Sequence, residues 1–307
     1  MKFDLHCHSN YSDGKHPPDF LVQRALANQV THLAITDHDC TAAKDEIKNI
    51  DGTMTLIAGV EISCKWRESE IHIVGLCIKS EEPKLESLLL VQQARRRTRL
   101  ADMNTKLQQL GIDGLDNYCA NLPSKALSRS HVADFLTDMK IVKDRRKAFK
   151  TFLSKRGRIY VEPNWCDMAQ AIDTIHSAKG LSVLAHPTRY PLSRGKLTEL
   201  VDDFVIAGGD AMEVSYGNLD LSAQKHLTQI AIAKSLCVSA GSDFHNSAEH
   251  WTDIGKFLPL NDLAEKNAIW KHPKMAFVKK NRVKITCALK NSPYLEKYLI
   301  MFRTYSQ

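Results

Sequence analysis

Two histidines spaced two apart, His6 and His8, close a short apolar segment at the start of the chain, and Asp13-Gly14 follows on a turn. Side chains alternate faces along an extended strand, so both imidazoles point one way while Cys7 points to the opposite face and packs. Two imidazoles and a nearby carboxylate are half of a metal site, and the rest of the fold has to supply the other half. A strand end with two solvated histidines looks the same in isolation, so the later segments decide. Residues 31–36 are an apolar run leading to Asp37-His38-Asp39, and residues 54–61 are another, ending in Glu61. His72 lies within the apolar run 70–77, His186 follows the run from 181, and Asp243-Phe244-His245 follows residues 237–242.

Helical patterns separate these runs. Residues 17–30, 41–50, 167–179, 196–207 and 222–235 carry apolar residues at helical spacing, the first with prolines and Asp19 at its start. Strand and helix in alternation, with polar residues at the strand C-terminal ends, predict an α/β barrel whose strand ends converge on one face. Between 81 and 156 the pattern changes to helices at 84–110, 129–140 and 143–155, with almost no strand signal. The expected organisation is a discontinuous barrel, 1–80 and 157–290, with an inserted helical subdomain at 81–156 covering the active site. Residues 277–287 are candidates for a last strand, and the tail 291–307 has no assignment.

Composition narrows the class. A chain of 307 residues with 43% hydrophobic and 25% charged residues suits a soluble globular protein. No apolar run approaches the ~20 residues that span a bilayer, and no signal-peptide pattern precedes the first strand. The eight cysteines are scattered without a C-x-x-C pair, as expected of reduced, buried thiols in the cytoplasm. Residues 84–160 hold 17 Lys and Arg against 7 Asp and Glu, a local charge of +10 within a total of +7. A basic segment beside a metal site favours an anionic substrate, nucleic acid among the candidates, although a solvated basic helix face has the same composition.

Collected together, the candidate ligands are His6, His8, Asp13, His38, Glu61, His72, His186, Asp243 and His245. Each has an ordinary explanation alone: a core histidine, a strand end, a helix cap. Nine on one barrel face are a metal centre, and nine are too many for one tetrahedral ion. Mixed imidazole and carboxylate donors suit manganese, iron or zinc better than calcium or magnesium. Two or three ions are implied, with Glu61 a candidate bridge, and clustered ions suit phosphate-ester hydrolysis.

The motifs D-L-H-C-H-S-x-x-S-D-G, I-T-D-H-D, G-V-E-I-S, I-H-I-V-G, A-H-P and G-S-D-F-H, spread from Phe3 to His245, resemble those of the PHP (polymerase and histidinol phosphatase) family. The W-x-x-x-E-I-H-I-V-G stretch at 66–75, A-H-P-x-R-Y at 185–190, G-D-A-M-E-V at 209–214 and the helical insert resemble the subgroup of bacterial RNase AM and 3′,5′-nucleoside bisphosphate phosphatases. The resemblance implies a distorted (β/α)7 TIM-like barrel with three divalent ions, often manganese. It implies that His6, His8, Glu61 and Asp243 hold one ion, Glu61, His72 and His186 a second, and Asp13, His38 and His245 a third. A hydroxide bridging two ions would be the nucleophile, and Asp13, His38 and His245 would be catalytic through the third ion. It further implies that Arg95, Arg96, Arg99, Arg129, His131 and Arg189 contact substrate, guanidinium groups gripping the phosphate that is not cleaved. Ser130 and Thr188 stand where the subgroup usually has proline or glycine, and glycine.

The expected activity is release of the 3′-phosphate from 3′,5′-bisphosphonucleotides such as pAp. The same grip on a 5′-phosphate would support 5′→3′ exoribonuclease action on short 5′-phosphorylated RNA or rRNA precursor ends. The alternatives are a phosphatase for another monoester such as histidinol phosphate, and a non-catalytic metal-dependent nucleic-acid binding module. The oligomeric state stays open, a monomer being compatible.

Overall fold

The apolar runs pair into one sheet that curls almost shut. The structure, a computed structural model, describes residues 1–47 and 54–278. In chain order the first elements are β1 (Phe3–Asp4), α1 (Pro18–Ala27), β2 (His32–Ile35), α2 (Ala43–Glu46), β3 (Thr55–Trp66) and β4 (Ser69–Leu76). The helical stretch follows as α3 (Pro83–Gln108), α4 (Leu115–Ala120), α5 (Arg129–Asp138) and α6 (Arg145–Ala148). Then come β5 (Cys166–Asp167), α7 (Met168–Ser177), β6 (Leu181–Leu184), α8 (Arg194–Ile206), β7 (Ala211–Ser215), α9 (Leu221–Ala233) and β8 (Cys237–Ala240), and finally α10 (Asp262–Lys266) and α11 (Pro273–Val278).

The sheet order is β1-β2-β3-β4-β6-β7-β8, with β5 paired to the outer end of β3. Past its ends the sheet closes: Leu5 donates to the Ala240 carbonyl, Asp243 to that of His6, and His8 to that of Phe244. This is the distorted barrel the sequence predicts, with a departure that matters. The chain from β3 to β4 is a hairpin, so β4 runs antiparallel to both its neighbours. Residues 54–61 do not end a strand at Glu61; β3 continues to Trp66 and turns at Arg67, whose φ is +51°. Glu61 therefore lies mid-strand, and His72 lies in the first half of β4 rather than at a C-terminal end. A strand break after Glu61 is a natural reading of an apolar run meeting a charge; burial of both strands erases that signal.

Smaller differences concern lengths. The helix expected at 41–50 is the single turn α2, and residues 48–53 lie outside the described residues. The helix expected at 143–155 is α6 followed by a π-helical turn, Phe149–Leu153. Of the last strand expected at 277–287, the first residues, Phe277 and Val278, belong to α11, and the remainder, like 291–307, lies outside the described residues.

The later turns of α3 join α4, α5 and the π-helical turn in a core of their own, built from Leu100, Met103, Leu107, Leu115, Phe135, Leu136 and Phe152. The first turns of α3 instead bury Leu85, Leu88 and Leu89 with the barrel core. One buried ion pair fastens this stretch to the barrel. Arg96 on α3 donates from Nε and Nη2 to Asp39, just past β2, and from Nη2 to the Ser63 hydroxyl on β3. Asp39 is fully buried. Replacing Arg96 with methionine strands that carboxylate, so R96M is expected to lower unfolding stability by about 3–5 kcal/mol in urea denaturation.

Candidate metal centre and adjoining cavity

Local backbone geometry explains how the nine candidate ligands reach one place. His6 and His8 follow β1 in extended chain, alternate toward the barrel mouth, and are fully buried. Cys7 between them faces away and its thiol donates to the Ala34 carbonyl. On the hairpin, Ser63 pairs directly with His72, and Glu61 is two residues from Ser63, so all three side chains share the inner face. His186 and Asp243 follow β6 and β8 with φ of +28° and +51°, conformations that turn their side chains back over the mouth.

Glu61 sits at the middle. Its Oε1 lies 3.0 Å from His72 Nδ1 and 3.0 Å from His186 Nε2. Its Oε2 lies 2.9 Å from His38 Nδ1, 3.2 Å from His8 Nε2 and 3.4 Å from His6 Nε2. Asp243 Oδ1 faces the same two nitrogens of His6 and His8, at 3.4 and 3.2 Å. Asp13 Oδ1 lies 3.3 Å from His245 Nε2 and 3.6 Å from His38 Nε2. These atoms form four overlapping groups with metal-binding spacing: His8-Asp13-His38-His245, His6-Glu61-His186, His6-His8-Asp243 and His38-Glu61-His72. The structure thus brings all nine predicted ligands together, with Glu61 in two groups.

The donors fit divalent cations. Asp13 Oδ1, His38 Nδ1, Glu61 Oε2 and His186 Nδ1 are buried and have no hydrogen-bond partner among the described residues. The 2.9 Å approach of His38 to Glu61 lacks hydrogen-bond geometry, as when two ligands aim at a common point. Burial pushes His38 and His186 down to about 4, leaving neutral imidazoles able to donate lone pairs at pH 7. Burial opposes charge on Glu61 as well, but His38, His72 and His6 outweigh it and hold the carboxyl well below its usual range. At His6 burial lowers the value, and the stronger pull of Glu213 and Glu61 raises it to about 10; the same carboxylates attract a cation in place of that proton.

A cavity of about 180 Å³ opens beside the cluster. Asp13, His38 and His72 line it, together with Arg96, Arg99, Arg129, Trp165 and Phe149. The predicted substrate residues differ in what they do there. Arg99 donates from Nε to the Val161 carbonyl, stacks over Trp165, and keeps a buried Nη2 with no partner among the described residues. Arg129 reaches Glu70 at 3.1 Å. Arg96 lines the cavity, but its guanidinium is committed to Asp39, Ser63 and the Leu127 carbonyl. Arg95 bonds Gln92 on its own helix and is not among the cavity residues. His131 accepts from the Ser128 backbone N–H as part of an α5 capping box. Arg189 is paired with Asp243 and donates to the Gly217 carbonyl.

Several working residues were missed in the sequence. Asp37 accepts from Ser9 and Ser12, and Ser12 contacts His8 Nδ1 at 3.3 Å. Asp4 accepts from the Ser242 and Gly255 backbone, and Glu213 contacts His6 and His186. Glu70 pairs with Arg129 and accepts from Trp165. A carboxylate inside an otherwise apolar run is the signal that could have found Glu213.

An α/β barrel with a buried cluster of imidazole and carboxylate groups at metal-binding spacing, opening onto an arginine-lined cavity, defines a metal-dependent phosphoesterase. The chain belongs to the PHP-domain family, whose model matches residues 4–162. It is 38% identical over 85% of its length to a 5′-3′ exoribonuclease of Haemophilus influenzae, of which it covers 96%. It is 36% identical over 82% of its length to a 3′,5′-nucleoside bisphosphate phosphatase of Chromobacterium violaceum, covering 90% of that protein. A crystal structure described as an amidohydrolase from Chromobacterium violaceum, with bound sulfate, superposes with a TM-score of 0.81 at 33% identity, covering 90% of this chain and 96% of that one. Among the described residues no helix is long and apolar enough to cross a membrane.

Two outcomes are expected. Chelator-stripped protein gains stability when Mn²⁺ is restored, about 2.7 kcal/mol at an ion concentration 100 times Kd, read as a shift in thermal unfolding. Burial opposes the charge of Glu70, but Arg129, Arg99 and His72 hold its carboxyl down to about 2. Its folded value lies below the ordinary 4.5, so its contribution is complete above that pH and disappears as pH falls toward 2. The stability gap between the native chain and E70Q should be widest above pH 4.5 and close toward pH 2 in denaturation series.

Proposed function

We propose that the chain hydrolyses the 3′-phosphate of 3′,5′-bisphosphonucleotides and, by the same grip, removes nucleotides from 5′-monophosphorylated RNA ends in the 5′→3′ direction. The observation that carries this reading is the cavity itself, whose lining includes the candidate metal ligands Asp13, His38 and His72 together with Arg99 and Arg129. A phosphate at the ligands and a second phosphate at the arginines are the two ends of one nucleotide. Three divalent ions, manganese foremost, fit the nine donors, and the proposed setting is the cytoplasm. Bound ions supply Lewis-acid activation of water and charge neutralisation at the phosphate.

The chain's own residues do the rest. Arg99 remains charged although burial lowers it to about 10, and its free Nη2 offers a charge-assisted bond to a phosphate oxygen. Arg129, about one-third exposed, is free to leave Glu70 for the same phosphate. Trp165, Phe149 and Leu100 provide an apolar wall for base or ribose. Arg96 and His131 act by holding α3 and α5 in place, and Arg189 orients Asp243. The names of the bisphosphate phosphatase and exoribonuclease relatives support the reading. The basic lining argues against histidinol phosphate, which needs no second phosphate clamp.

The test is phosphate release from pAp beside mononucleotide release from a 5′-phosphorylated RNA oligomer, with manganese. Turnover of both is expected, with a 5′-hydroxyl oligomer much slower; turnover of neither phosphorylated substrate rejects the proposal. R99A and R129A should each raise KM for pAp about tenfold or more, the loss of one charge-assisted bond. Hydrolysis of p-nitrophenyl phosphate should change little.

A further inference from the structure

Outside the four ligand groups, and not among the cavity-lining residues, lies Glu213. It is 1% exposed, in the middle of β7, and the sheet register slips directly after it, between Glu213 and Ser215. A carboxylate inside an apolar barrel strand needs compensation. Its partners belong to two different metal ligands. Oε1 lies 2.8 Å from His6 Nδ1, and Oε2 accepts the backbone N–H of His186 at 2.6 Å. Those two histidines, with Glu61, make up one of the four ligand groups.

We infer that Glu213 is the positioning residue that commits His6 and His186 to the metal centre. This rests on the reading of the nine residues as metal ligands. An ionised carboxylate only accepts hydrogen bonds, so the proton of neutral His6 must sit on Nδ1. Nε2 is then left with its lone pair, and it is Nε2 that faces His8, Glu61 and Asp243. The other oxygen holds the backbone of His186, whose φ of +28° is costly for a residue with a Cβ and needs a fixed partner. That backbone conformation directs His186 Nε2 to Glu61, 3.0 Å away. One side chain therefore sets the tautomer of one ligand and the direction of a second. His8 receives its orientation differently, through Ser12 from Asp37.

E213Q separates this role from packing, because shape and volume are retained. The amide has one acceptor oxygen and one donor nitrogen where the carboxylate has two acceptors. With its oxygen on the His186 N–H, its NH₂ meets His6 Nδ1 and forces the proton to Nε2, which then cannot bind metal. Flipped, its NH₂ opposes the His186 N–H, donor against donor. Either arrangement costs one ligand of the same group.

The experiment titrates chelator-stripped native protein and E213Q with Mn²⁺, following free Mn²⁺ by electron paramagnetic resonance, with circular dichroism confirming the fold. E213Q should bind one ion about 10- to 100-fold more weakly, and its kcat for pAp should fall with KM little changed. Equal uptake and affinity in the two proteins would overturn the role of Glu213 while leaving the metal centre intact. A native chain that bound no Mn²⁺ would overturn both. A measurement on the native protein avoids any folding defect of the variant: ¹⁵N imidazole spectra of the Zn²⁺-loaded chain should show His6 protonated at Nδ1, and a proton at Nε2 would refute the proposal.

Discussion

Everything at the mouth of this barrel depends on crowding nine ionisable groups into a space from which water is largely excluded. Glu61 alone has five imidazole nitrogens within 3.4 Å. Such a cluster is unfavourable unless cations balance it, and it holds its geometry better where its members are restrained from behind. Asp4, Asp37 and Glu213 restrain part of it, one each for the loop after β8, the His8 turn, and the pair His6 and His186. The protein thus has two concentric sets of carboxylates, the inner facing the centre and the outer facing the backbone and ring nitrogens that aim it.

The reversed strand β4 decides how the rest is arranged. A parallel crossover would have carried the chain away from Glu61 through a helix on the barrel exterior. The hairpin instead returns it at once, and the pleat places His72 diagonally from Glu61 on the same face. Glu70 enters on the same strand and meets Arg129 from α5. One local turn around Arg67 thereby supplies a ligand and the acidic floor of the neighbouring cavity.

The alternation of strands and helices was readable because buried parallel strands are short apolar runs and the helices between them are amphipathic. The residues of the cluster were readable as candidate ligands because imidazoles and carboxylates are conspicuous beside such runs. The direction of β4 was not, since a run such as 70–77 pairs equally well either way and only the tight turn at Arg67 decides. Arg95, Arg96 and Arg99 look alike in sequence, and nothing local distinguishes the one locked to Asp39 from the one with a free nitrogen. That difference arises from which residue across the barrel each helix position meets. Glu213 was passed over for a related reason: it sits in an apolar run like the ligands, but faces their backs.

The ion pair between Arg96 and Asp39 has a consequence for how the enzyme measures what it accepts. With that pair buried, and with Ser128 at the N-terminus of α5 bonded to Asp13 itself at 3.2 Å, the helical stretch is bolted to the barrel at both flanks of the cavity. Swinging it outward would leave a charge stranded in the core, so it behaves as a fixed jaw and not as a hinged cover. The gap between jaw and ligands is then a gauge of constant width.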